Sequence, residues 1–287
     1  MSESNDSNGV SEPEPTRAPL LSVADVSVRF EGVKALSDVS FQVQPGELFA
    51  VIGPNGAGKT SLFNVISRVY QPVAGSVTYD GRDLLRLKTY QVARGGIART
   101  FQNLGQFPTM TVMDYLLLGR HTRMRSGIVL GGLYFIQTRA EEKHNRAYCL
   151  RLLDLIGLKN VSNYPLGSLP YGLQKRADIA RALAMEPKLL LLDEPVAGMG
   201  LEETEDIAAV ILDIKEQLGV TQILVEHDMA LVMGIADRLL VLDFGRVIAQ
   251  GTPAEMQANP DVIKAYLGEE FGGTTAALSA PAEEHRS

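Results

Sequence analysis

Gly53-Pro54-Asn55-Gly56-Ala57-Gly58-Lys59-Thr60 fills every position of the pattern G-x-x-x-x-G-K-[ST]. The apolar run Leu48 to Ile52 precedes it, and a helical pattern, Ser61 to Val69, follows. A phosphate-cradling loop needs that strand, loop and helix order. Glycines let main-chain N–H groups curl around an anion, and the helix N-terminus adds a favourable potential. Lys59 then reaches the β and γ phosphates, and Thr60 offers a hydroxyl to Mg2+.

The rest of the chain supplies a sheet for this loop. Leu189 to Leu192 and Ile223 to Val225 are continuous apolar runs, as in strands buried on both faces of a parallel sheet. Val23 to Phe30 and Val39 to Val43 alternate apolar and polar residues, as half-buried strands do. Arg139 to Gly157 reads as wholly helical and predicts an appended helical region. Strands alternating with helices imply an α/β fold with a parallel sheet.

Asp193 and Glu194 close the leucine run. Asp193 is the candidate Mg2+ holder, through water, because Mg2+ keeps much of its hydration shell. Glu194 is the candidate base that orients the attacking water. No Asn in the chain is followed by Lys, so the guanine-reading N-K-x-D pattern is absent.

The chain has 287 residues, 45% hydrophobic and 21% charged, which excludes disorder throughout. Residues 1–19 and 269–287 are polar and acidic and read as disordered tails. They carry most of the net charge of −7 and leave the folded part near neutrality. A single cysteine, Cys149, and no leader-like start predict a reduced compartment. The longest apolar run, Gly127 to Ile136, is far short of the roughly 18 residues of a spanning helix. Within the core, residues 82–151 hold 12 bases and 4 acids, and residues 193–228 hold 10 acids and 1 base.

Together these motifs resemble the ATP-binding subunits of ABC transporters, from about Leu20 to Gly268. The resemblance implies a P-loop NTPase of ABC type: a RecA-like parallel-sheet core, an N-terminal antiparallel β subdomain, and a helical subdomain inserted at about 105–175. It implies that Phe30 stacks on adenine and that Gln102, in Arg99-Thr100-Phe101-Gln102-Asn103, senses Mg2+. It also implies that Ser61 belongs to the ATP cradle and that His227, in Val225-Glu226-His227-Asp228, contacts the γ-phosphate. The dimerisation signature, usually L-S-G-G-Q, looks like Leu169-Pro170-Tyr171-Gly172-Leu173, in which Ser and Gln are lost. Pro170 removes a hydroxyl and an N–H that would face ATP on the opposite subunit, while proline remains acceptable in a first helical turn. Gly200 stands where the family's D-loop often has Asp or Asn.

Ile97 to Asn103, Ala197-Gly198-Met199 and Val225 to Met229 are similar to the longer of two paired ATPase types in branched-chain amino acid importers. So is a C-terminal segment at about 252–268, opened by the capping sequence Thr252-Pro253-Ala254-Glu255. The resemblance implies ATP and Mg2+, a second ABC ATPase subunit as heterodimer or homodimer, two permease subunits, a solute-binding protein and no nucleic acid. It places the chain at the cytoplasmic face of the membrane. Importers of urea, amides or organic acids, a soluble ATPase uncoupled from transport, and a non-hydrolysing regulatory subunit are the competing readings. Arg120, His121, Arg123 and Arg125 precede the apolar run and are expected to meet the permease or an anionic lipid surface, or else to flank a core helix.

Overall fold

The computed structural model describes residues 18–101, 107–121, 123 and 135–265. Gln102, Arg125, Gly127 to Tyr134 and nearly all of both expected tails lie outside the described residues. The described chain begins with the hairpin β1 (Leu21–Phe30) and β2 (Val33–Val43), then β3 (Leu48–Ile52) and α1 (Lys59–Ile66). β4 (Ala74–Tyr79), β5 (Arg82–Asp83), α2 (Thr89–Arg94) and β6 (Ile97–Arg99) follow. Next come α3 (Val112–Arg120), α4 (Phe135–Leu155), α5 (Tyr171–Leu183) and β7 (Leu189–Asp193). The last elements are α6 (Leu201–Leu218), β8 (Thr221–Val225), α7 (Met229–Ile235), β9 (Arg238–Asp243), β10 (Arg246–Gly251) and α8 (Pro253–Gln257).

β2, β1, β4 and β5 form an antiparallel sheet in that order. The second sheet runs β10-β9-β3-β8-β7-β6, parallel except for β10. β3 is therefore central, and the carboxyl ends of β3, β7 and β8 open on one edge. Open parallel sheets place ligands beyond such an edge.

Side-chain alternation along this sheet divides the interior in two. Leu48, Ala50, Ile52, Leu190 and Leu192 face a core built with α3, α4, α5 and α6. Phe49, Val51, Leu189 and Leu191 face the other core, shared with the antiparallel sheet and α1. α1 lies between the sheets and buries Leu62, Phe63, Val65 and Ile66, each worth about 1.5–3 kcal/mol. It ends before the expected Val69 because Arg68 turns left-handed, at φ 59°. The helices α3 to α5 pack in the same core as the sheet face, so the helical region and sheet share one interior.

The basic group expected to face a membrane or permease is corrected at its first member. Arg120 is buried and donates to Asn145 Oδ1 (3.0 Å), the Ala184 carbonyl (3.0 Å) and Glu186 Oε1 (2.5 Å). Arg123 donates to the carbonyls of Met185 and Glu186, both at 2.8 Å. The two arginines staple α3 to the turn between α5 and β7, because that turn leaves carbonyls that need donors. His121 is exposed. Among the described residues no helix is long and apolar enough to cross a membrane.

Candidate functional site

The loop between β3 and α1 is fixed by close approach. Gly53 has φ 149°, and a Cβ there would lie 2.1 Å from the Leu242 carbonyl oxygen. At Gly58 (φ 104°) a Cβ would lie 2.6 Å from the Ala35 carbonyl oxygen. Only glycine meets both demands. Gly245 ties the loop to its surroundings, donating to the Ala57 carbonyl (3.0 Å) and accepting from Ser37 N–H (2.8 Å). The loop encircles the Lys59 ammonium, which donates to the carbonyls of Gly53 (2.5 Å) and Pro54 (2.9 Å). Thr60 and Ser61 occupy the first turn of α1, with Thr60 exposed. Pro54, Asn55, Gly56 and Ala57 also line a cleft of about 560 Å³ beside Phe244 and Lys264.

Asp193 ends β7 in register with Val225 at the end of β8. It is 1% exposed. Its Oδ2 accepts from Arg99 Nη2 at 2.6 Å, while Oδ1 is buried with no hydrogen-bond partner. A buried carboxylate oxygen without a partner is uncommon and suits a cation ligand, so the residues fit Mg2+. Glu194 follows in the left-handed region, φ 46°. Such backbone is sparsely populated by non-glycine residues and clusters at functional sites. Its N–H donates to the Val225 carbonyl (2.9 Å), and its carbonyl accepts from Lys175 Nζ (3.3 Å).

His227, one step past β8, has a side chain 60% exposed. Glu226 beside it is wholly buried and accepts from the N–H groups of Val196 (3.0 Å) and His227 (3.1 Å). Burial pushes its carboxyl above the usual range, against the lowering effect of those two donors. Glu226 thus joins the turn after Glu194 to the turn carrying His227. Phe30 is exposed at the end of β1, held edge-on by Tyr70 with ring centroids 4.8 Å apart. Its outer face is available for stacking.

The start of α5 has a different construction. Pro170 is the N-cap and supplies no side-chain hydrogen bond, so the first-turn place expected for it belongs to Tyr171. Gln174 N–H donates to the Pro170 carbonyl at 3.1 Å. Leu169 is buried and Tyr171 exposed. A Cβ at Gly172 would lie 2.9 Å from Oε1 of Glu203, in the first turn of α6. Gly200 caps α6 at φ −78°, a conformation open to any residue.

Lys59, at the start of α1, and the strand-end residues Asp193, Glu194 and His227 are therefore gathered on one sheet edge, with Phe30 on the neighbouring hairpin. Gln102 is outside the described residues. Reading the sequence missed Arg99 and Glu226 as site residues. Arg99 stood inside the phrase that drew attention to Gln102, and its position at the end of a strand beside Asp193 was the available signal.

A family profile described as ABC transporter matches residues 36–197, and one described as branched-chain amino acid ATP-binding cassette transporter matches residues 246–272. The chain is 39% identical over 251 residues to the high-affinity branched-chain amino acid transport ATP-binding protein BraF of Pseudomonas aeruginosa, covering 88% of this chain and 98% of the relative. It is 40% identical to LivG, the protein of the same description in Escherichia coli, over the same shares. Among solved structures, a nucleotide-free ATP-binding cassette from an ABC transporter superposes with a TM-score of 0.76 at 29% identity, covering 87% of this chain and 99% of that one. The ADP conformation of a cassette gives 0.77 at 29% identity, covering 88% and 99%. Two sheets around a phosphate loop, the strand-end carboxylates and these matches agree: the chain belongs to the ABC transporter family of ATP-binding cassettes, in the branched-chain amino acid group.

Proposed function

We propose that this chain is the ATP-hydrolysing subunit of an importer for branched-chain amino acids, acting on two permease subunits beside a second ATPase. The observation that carries the reading is one sheet edge bearing Lys59, the half-partnered Asp193, the strained Glu194 and the exposed His227. Relatives covered almost end to end support the cargo class.

In this reading the phosphate loop Gly53 to Thr60, with Ser61, binds the triphosphate through main-chain N–H groups. Lys59 exchanges its two carbonyl partners for β- and γ-phosphate oxygens. Phe30 stacks on adenine, its tilt fixed by Tyr70. Mg2+, when bound, neutralises phosphate charge. Asp193, Thr60 and Gln102 are the residues that would hold it. Glu194 takes a proton from the water that attacks the γ-phosphorus, and ADP and phosphate leave. His227 holds the γ-phosphate, and Glu226 keeps its main chain in place.

Leu169, Pro170, Tyr171 and Gly172 serve the partner's ATP in this reading. With a second, different ATPase subunit that keeps the serine, the loss here makes the two composite sites unequal; in a homodimer both sites would carry the same loss. Equal loss of hydrolysis on disabling Glu194 and the matching partner residue would reject that inequality. The subunit sits at the cytoplasmic face through its permeases, and a solute-binding protein delivers cargo. The domain limits proposed are 20–268 for the cassette, with a helical subdomain at about 105–175 and tails beyond.

The deciding experiment is ATPase stimulation of the purified complex by a panel of loaded binding proteins. Stimulation by leucine- or valine-loaded protein is expected, and stimulation only by urea-, amide- or organic-acid-loaded proteins overturns the cargo.

A further inference from the structure

A chain of polar contacts, partly buried at Arg99 and fully buried at Asp178, leads away from Asp193 to α5. Arg99 Nη2 donates to Asp193 Oδ2 (2.6 Å) and Nη1 to Asn64 Oδ1 on α1 (2.7 Å). The Arg99 carbonyl accepts from Arg181 Nη2 (2.8 Å), and Arg181 Nε donates to Asp178 Oδ1 (2.7 Å). Asp178 Oδ2 accepts from the Phe101 N–H (2.5 Å), and Oδ1 also accepts from the Tyr115 hydroxyl (2.8 Å). Asp178 is 0% and Arg181 4% exposed. The Arg181 guanidinium lies 3.8 Å from the centroid of the Phe101 ring.

The segment 99–101 is also held from the other side. Thr100 N–H donates to the Leu191 carbonyl (3.0 Å), and Thr100 Oγ1 accepts from the Asp193 N–H (3.1 Å). Asp193 is thus supported twice by residues 99–100, and 99–101 is supported twice by α5. Satisfied buried networks of charged groups rigidify what they join, since each broken link strands a desolvated partner. Core packing alone does not call for an arginine, an aspartate and a tyrosine here; an apolar cluster would fill the space more cheaply.

We propose that Arg99, Arg181 and Asp178 are positioning residues that hold the Asp193 carboxylate from α5, the helix that begins at the signature segment. Arg99 occupies Oδ2 and leaves Oδ1 as the oxygen that would take a cation. This rests on the reading of Asp193 as a Mg2+ holder. Asp178 touches neither Asp193 nor the phosphate loop through any of these bonds, so an effect of Asp178 on cation affinity has to pass through the relay.

The test is binding of a fluorescent ADP analogue to the full chain at rising Mg2+, with no hydrolysis required. D178N and R99K are expected to raise the Mg2+ concentration for half-maximal effect about tenfold, the scale of one charged hydrogen bond. In D178N, affinity for the analogue without Mg2+ should stay within about twofold, because the bonds of Asp178 go to Phe101, Tyr115 and Arg181 and not to the phosphate loop or α1. If D178N fails to fold, Y115F removes one bond to Asp178 and is expected to give a smaller rise in the same direction. A lower unfolding temperature with unchanged Mg2+ dependence in D178N, or in Y115F where that replaces it, makes the network merely structural and overturns the proposal. D193N separates the two readings. If D193N shifts the Mg2+ dependence and D178N does not, the relay fails and Asp193 keeps its role; if D193N shifts nothing, the metal reading fails and the relay with it.

Discussion

The carboxyl edge of the parallel sheet and the start of α5, to which the proposed function assigns hydrolysis and contact with the partner's ATP, hold their residues by different means. On the sheet edge, Asp193 and Glu194 follow strands buried on both faces, with main-chain bonds to β8 and a side-chain bond from Arg99. At α5, Pro170 to Gly172 are fixed by a helix end whose cap has no side-chain acceptor and whose nearest carboxylate, Glu203, belongs to a flexible side chain. Placing a water against phosphorus demands sub-ångström positions, which a buried sheet provides. Offering helix N–H groups to a phosphate tolerates more variation, because the helix end supplies the potential whichever residue caps it.

Four measurements bear on that contrast. The largest effect is expected for E194Q, about a thousandfold lower phosphate release with ADP affinity unchanged, since a general base contributes about 10²–10⁴. Retention of a tenth of wild-type turnover would remove the sheet edge from the chemistry.

Stability to urea gives the next comparison. G53A is expected to lose about 4 kcal/mol or more, because the Leu242 carbonyl leaves no room and φ is 149°. G172A should stay within about 1 kcal/mol of wild type, since Glu203 can swing aside and alanine favours a helix. Equal losses would break the contrast. R120A tests the same distinction away from the site, with about 2 kcal/mol expected from the unpaired Asn145 and Ala184 acceptors.

The smallest effect is a slope with pH. Because burial raises the Glu226 carboxyl, the native state binds its proton more readily than the unfolded chain does. Stability therefore falls as pH rises from the ordinary carboxylate range through the raised value. E226Q cannot titrate, and its thermal midpoint should show a shallower decline over that window. Parallel curves would mean that Glu226 carries no such linkage.

Much of this was legible from local pattern. The loop at Gly53, the leucine run into Asp193 and the capping box at Thr252 each depend on neighbours a few residues away. In the last, Glu255 Oε2 accepts from the Thr252 N–H at 2.7 Å as the pattern requires. β2 was legible only from Val39, because register shifts and left-handed residues at Asp25 and Asp38 interrupt the alternation in the hairpin. Charge counted along the chain misled in a specific way. Arg99 of the basic stretch pairs with Asp193 of the acidic one, so those charges cancel inside the fold instead of facing outward.

The sequence by itself determined that the chain carries a phosphate loop on a parallel sheet, with Asp193 and Glu194 on a strand end, because helix periods, turn glycines and apolar runs are short-range properties. Tertiary structure alone decided which charges are internal. Arg99 meets Asp193 across 94 residues, Arg120 meets Glu186 across 66, and Glu226 meets Val196 across 30. Each of those contacts joins elements distant in sequence and buries at least one partner, whose lost hydration the contact offsets.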